Sequence, residues 1–143
     1  MQDTHSAAAK RTEAAKRILL VEDDDDDRSA MRDVLEDEGF QVFEARNGRH
    51  ALDLMTSTDE PSLVILDLEM PVMSGSELVD VMRRYHRLSR VPVLVVSGSK
   101  HSLLPRHDKI VGKMAKPVEL KELLETVHAA ASGASANDDS RQV

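Results

Sequence analysis

The chain has 143 residues, 41% apolar and 31% charged, which suits one domain with a sizeable core and leaves too little length for two. Its net charge of −7 excludes the global basic field of a nucleic-acid binder, and the absence of cysteine excludes disulfides and thiolate metal sites. No apolar run approaches the ~18 residues of a membrane span, and the polar N-terminus has no secretory core, so a cytoplasmic protein is expected.

Residues 1–16, rich in Ala, Lys and Glu, read as a flexible tail, and 132–143 (SGASANDDSRQV) as a disordered one, which leaves 17–131 as the folded domain. RILLV (17–21) is a continuous apolar run, expected of a strand buried on both faces. Six consecutive acids, Glu22 to Asp27, follow it, and without them the acidic and basic residues nearly balance. Asp24 to Asp27 suit a helix N-terminus, where cap and dipole favour carboxylates. Ala30, Met31, Val34 and Leu35 then form a helical stripe closed by Gly39.

FQVFEA (40–45) reads as a second strand, and Asn47-Gly48 opens a helix carrying Ala51, Leu52 and Met55. SLVILDL (62–68) is the third and most apolar strand. After EMPVMSG, the spacing of Leu78, Val81, Met82 and Tyr85 predicts a helix. VPVLVVS (91–97) and KIVGKMA (109–115) supply two more strands, and Leu120, Leu123, Leu124 and Val127 mark the last helix. The methionines read as core filler, and the histidines, which have no metal spacing, as solvent-exposed.

Alternating strands and helices predict an α/β fold, a parallel sheet with helices on both faces. Sites in such sheets lie at the carboxyl ends of the strands. That rule gathers Glu22 and Asp23 after strand one, Asp67 at the end of strand three, Ser97 after strand four and Lys116 after strand five. Carboxylates brought together raise one another's pKa unless a cation neutralises them, and an all-oxygen set favours a hard cation such as Mg²⁺.

Four segments in this order, ILLVEDD, LVILDLEMPVMSG, VPVLVVSGS and AKPVEL, resemble the receiver domain of two-component response regulators over about residues 17 to 131. The resemblance implies a doubly wound, flavodoxin-like (βα)5 sheet of strand order 2-1-3-4-5. It implies that Asp67 accepts a phosphoryl group from a histidine kinase or phosphotransfer protein, with Lys116 and Ser97 contacting the phosphoryl oxygens. Mg²⁺, or Mn²⁺ in its place, would be held by Glu22, Asp23, Asp67 and the Glu69 carbonyl. It also implies a cis bond before Pro117, which costs little at X-Pro. A stand-alone switch is expected, signalling through a partner or a phosphorelay and catalysing only its own phosphorylation and dephosphorylation.

Two other readings stay open beside it. One is a pseudo-receiver that binds partners without phosphorylation. The other is an Asp-nucleophile phosphatase, which DLEMP resembles, although position 69 is Glu and the acidic pair precedes this strand. Two departures from the family pattern concern output. Lys113 stands where the family often has an aromatic residue. The segment between Ser97 and Lys116 is short and contains Pro105, so the fourth helix is expected to be short or irregular. Lys100, Arg106, Lys109 and Lys113 in this region are either a solvated basic loop or a docking face for an acidic partner.

Overall fold

A computed structural model describes residues 16–70, 72–99 and 104–131. Five parallel strands, β1 (Arg17–Val21), β2 (Gln41–Ala45), β3 (Leu63–Asp67), β4 (Val93–Ser97) and β5 (Ile110–Ala115), form one sheet of order β2-β1-β3-β4-β5. Four helices accompany them: α1 (Asp25–Asp37), α2 (Gly48–Ser57), α3 (Gly75–Arg84) and α4 (Leu120–Ala131), with a 3-10 turn at Leu88–Arg90. The expected topology is thus the observed one. The described residues between β4 and β5 contain no helix, and residues 100–103, within the segment where a short or irregular fourth helix was expected, lie outside the described residues.

Alternation along the strands divides the core in two. Leu19, Val21, Val64, Leu66, Val93 and Val95 face α2 and α3, where they meet Met55, Leu78 and Met82. Ile18, Leu20, Leu63, Ile65, Leu94 and Val96 face α1 and α4, where they meet Met31, Leu35, Leu123 and Val127. Successive strand side chains point to opposite faces, so a strand covered by helices on both sides must be apolar throughout. β3 and β4 are buried at every position for this reason. Each such Leu, Ile or Val contributes roughly 1.5–3 kcal/mol of burial. β5 at the sheet edge is mostly exposed instead, and Lys113 lies on it in the open.

Local signals set the helix ends. The Asp24 side chain caps α1 by accepting from the Asp27 N–H (2.9 Å), and Asp25 to Asp27 occupy the first turn. Gly39 leaves the helix at φ +96°, a conformation glycine adopts without a Cβ penalty. Asn47 caps α2, and Ser74 and Glu77 form a reciprocal capping box at α3. A Cβ at Gly75 would stand 2.5 Å from the Asp67 carbonyl oxygen, so only glycine lets α3 start this close to the end of β3.

Tyr85 departs from the expected stripe. α3 ends at Arg84, and Tyr85 turns into extended backbone as its C-cap, leaving the residue 52% exposed while Val79 fills the core instead. No helix among the described residues is long and apolar enough to cross a membrane.

Candidate functional site

The carboxyl ends of β1, β3, β4 and β5 converge on one cluster. Glu22, the residue after β1, is 1% exposed, and Asp67, which ends β3, is 2% exposed. One carboxylate oxygen from each of Glu22, Asp23 and Asp67 lies within 4.8 Å of the others, with Asp23 on the solvent side. Lys116 arrives directly after β5 and across a cis bond to Pro117, the isomer the family resemblance implied. Its Nζ stands 3.0 Å from both Asp67 Oδ2 and Glu22 Oε1 and 4.0 Å from Asp27 Oδ2.

Backbone donors hold the buried carboxylates in place. The Asp24 N–H donates to Glu22 Oε2 and the Glu69 N–H to Asp67 Oδ1, each at 3.0 Å. Glu22 Oε1, although near the ammonium, accepts no hydrogen bond. Burial is the largest influence on both acids: it pushes Glu22 up to about 7 and raises Asp67, the Lys116 ammonium countering only part of the rise. Burial on its own would lower Lys116, but the two carboxylates outweigh it and hold the ammonium above its ordinary value.

One ammonium against three carboxylates leaves negative charge in excess, and a buried carboxylate oxygen lacks a donor. A divalent hard cation fits both features, since it accepts oxygen ligands and needs no proton. The residues that could hold it are Glu22, Asp23 and Asp67, with Glu69 beside them in the chain.

Ser97 ends β4 at 2% exposure. Its hydroxyl donates to Glu69 Oε2 at 2.7 Å and accepts from the Ser99 N–H at 3.1 Å, while the Gly98 N–H donates to Glu69 Oε1 at 3.0 Å. A carboxylate thus already occupies the hydroxyl and amide donors on the β4 side. The sequence singled out Glu69 for its carbonyl, and this use of its side chain was not legible there.

Arg28 is a second residue missed from sequence. Its side chain is buried and donates to the Glu22 carbonyl (2.9 Å), to Asp25 (2.6 Å) and to Glu44 (3.0 Å), tying α1 and β2 to the end of β1. The available signal was spacing, because Arg28 shares the helical face of Met31 and Leu35. Replacing Arg28 with Ala should lower stability by about 2 kcal/mol in urea unfolding, since charge-assisted bonds and a buried carbonyl acceptor are lost together. A change within error would show that the network contributes nothing net.

One of the histidines departs from the expected exposure. His50, His86 and His128 are exposed as expected, but His107 is half-buried, with its Nε2 fully buried and lacking a hydrogen-bond partner. His101 and Lys100 lie outside the described residues. Arg106 and Lys109 of the basic group meet Arg83 and Arg90 around one cleft, while Lys113 is exposed on β5 outside its lining.

Fold and site together define a doubly wound α/β domain with an acidic, metal-competent cluster and a lysine at the carboxyl rim of its sheet. The family model described as the response regulator receiver domain matches residues 18–128, and the chain belongs to that family. It is 32% identical to sporulation initiation phosphotransferase F of Bacillus subtilis over 103 residues, 70% of this chain and 81% of that protein. It is 36% identical to the nitrate/nitrite response regulator NarL of Escherichia coli over 93 residues, 64% of this chain but only 43% of that protein. Among solved structures, a CheY-like receiver domain from Methylobacillus flagellatus aligns with a TM-score of 0.72 and 25% identity, covering 82% of this chain and 99% of that one. A response regulator receiver protein from Pseudomonas putida aligns at 0.70 and 27%, covering 80% and 97%.

Proposed function

We propose that Asp67 is the phosphoacceptor of a receiver switch fed by a histidine kinase or phosphotransfer protein. The observation that carries this reading is the pairing of a buried Asp67 with the Lys116 ammonium at 3.0 Å. An Asp67 oxygen attacks phosphorus, the bond from phosphorus to the donor nitrogen breaks, and the leaving imidazole takes up a proton. Such transfer needs alignment and charge neutralisation more than covalent assistance. Mg²⁺ (or Mn²⁺) held by Glu22, Asp23, Asp67 and the Glu69 carbonyl would neutralise phosphoryl charge. Lys116 would keep one phosphoryl oxygen neutralised from the β5 side, and Ser97 would donate to another.

The product carries an acyl phosphate with about −1.5 to −2 charge and new acceptor oxygens. These compete with the Glu69 carboxylate for the Ser97 hydroxyl and the Gly98 N–H, so phosphorylation would release Glu69 and reset the loop after β4. We read residues 17–131 as the switch unit and its output as passing to a protein partner or along a relay. Likeness to a relative named as a phosphotransferase over 81% of its length supports a stand-alone role of that kind.

The test is labelling with acetyl phosphate and Mg²⁺, followed by mapping of a hydroxylamine-labile phosphoryl group to Asp67. No labelling by this donor or by any histidine-phosphorylated protein would leave the pseudo-receiver. Released phosphate over many turnovers of a phosphomonoester would favour the phosphatase. Glu69 gives a further expected result. Glu69→Gln removes a negative charge from the approach of an anionic donor and weakens the hold on Ser97, so self-phosphorylation by acetyl phosphate should accelerate about 3- to 10-fold. An unchanged or slower rate would remove Glu69 from this competition.

A further inference from the structure

At the amino-terminal ends of β4 and β5, away from the phosphoacceptor, lies a cleft of about 480 Å³. Three separate segments build it: the last turn of α3 with Arg83, the 3-10 turn with Arg90, and residues 106–109 leading into β5. Arg106, His107, Asp108 and Lys109 come from the last of these. Among the described residues, Arg90, Arg106 and Lys109 form no ion pair, and Arg83 has only the exposed Asp80 at 3.4 Å. Asp108 is the sole acid among the described lining residues.

Four cations facing one concavity repel one another, and the chain as a whole is acidic, so nothing in its composition requires their convergence. His107 also lines the cleft, as a neutral ring that adds no charge of either sign. Its ring hydrogen-bonds the Val91 backbone, while Nε2 is buried without a partner. Burial first, with the nearby Arg83 and Lys109 charges added, holds this imidazole below its ordinary value, with the Val91 bond and Asp108 opposing. An anion in the cleft would supply the counter-charge that the four cations lack.

We propose that this cleft binds a small anion bearing at least two phosphate groups. Guanidinium groups recognise phosphate oxygens in bidentate fashion, and Lys adds a point charge. The volume falls in the range of small-molecule sites, roughly 300–1,000 Å³, whereas a protein partner requires a broad surface of about 800 Å². Among the described residues no Phe, Tyr or Trp lines the cleft, so recognition is of charge and not of a base stacked on such a ring. The site is independent of the phosphoacceptor, since the whole of β4 separates Arg90 from Ser97.

Inorganic pyrophosphate is the probe, titrated into the full chain by calorimetry and amide NMR in Mg²⁺-free buffer of low ionic strength, where screening is weak. Expected are saturable binding and shifts confined to residues 88–91 and 106–110. Arg90→Ala/Arg106→Ala should weaken that binding at least ~10-fold while retaining its folded spectrum and its labelling by acetyl phosphate. If the double variant does not fold, Arg106→Gln at this exposed position carries the same comparison with a smaller expected loss. Absence of binding, binding unchanged in the folded variant, or shifts centred on Ser97 and Lys116 would overturn the proposal. Tighter binding of an oligoglutamate peptide than of pyrophosphate would also overturn it, and would assign the cleft to an acidic protein.

Discussion

Asp67→Asn is expected to remove acetyl phosphate labelling, a loss of at least about a thousandfold, because an amide oxygen is no substitute for the carboxylate nucleophile. The same substitution should stabilise the metal-free fold. Burial raises Asp67 and Glu22, which means that folding favours their uncharged forms. The sign follows from proton linkage. A carboxylate whose folded pKa lies above its unfolded value costs nothing below the unfolded value, and stability is lost as pH rises through the window between the two. For Glu22 that window runs from 4.5 to about 7.

Above that window Glu22 is charged, and an amide at position 67 removes the repulsion that a second buried carboxylate adds to it. The melting temperature of Asp67→Asn in EDTA at pH 8 should exceed that of wild type by several degrees, on the order of 1–2 kcal/mol. Adding Mg²⁺ should raise wild type toward the variant, since a ligand of the folded state stabilises by mass action. The variant, one carboxylate poorer, should respond less. A variant that labels normally would dismiss Asp67 as phosphoacceptor. One that labels poorly but melts lower than wild type in EDTA would refute the account of charge crowding without touching the nucleophile.

How far the sequence could be read depended on what kind of information each feature needed. β1, β3 and β4 were legible because burial on both faces demands continuous Val, Leu and Ile, and no solvated element carries such runs. Glu22, Asp23, Asp67, Ser97 and Lys116 could be gathered on paper because a parallel topology sends the carboxyl ends of all its strands to one rim. Arg28 was overlooked because a charged residue in an acidic run reads as surface, and only packing shows it turned inward against the Glu22 carbonyl. The Glu69 bond to Ser97 joins positions 28 apart through rotamer choice, which no pattern encodes. The cleft around Arg90 and Arg106 was invisible for a related reason. Its cations come from three segments, and Arg83 and Arg90 stand too far along the chain from Arg106 and Lys109 for any local run to join them.

Lys116→Ala carries the other large effect, and it separates the two tasks of one side chain. The ammonium lies 3.0 Å from Asp67 and from Glu22, and it is the cation nearest to either carboxylate group in the cluster. Without it two buried carboxylates lose their partner, which costs about 3 kcal/mol when both are charged. Their pKa values then rise further, because the opposing influence of Lys116 on each is gone. The destabilisation should therefore be largest at pH 8 and should shrink at pH 5, where Glu22 takes up a proton. Urea unfolding in EDTA at the two pH values measures this directly. Labelling by acetyl phosphate should also fall about 10²- to 10³-fold, the usual cost of deleting one fixed charge at a developing anion. Mg²⁺ should restore much of the stability but little of the labelling, since a metal can neutralise the resting carboxylates without replacing the contact to phosphoryl oxygen from the β5 side. Equal stability loss at both pH values would mean that Lys116 acts through packing of its methylenes, and undiminished labelling would remove it from the transfer step.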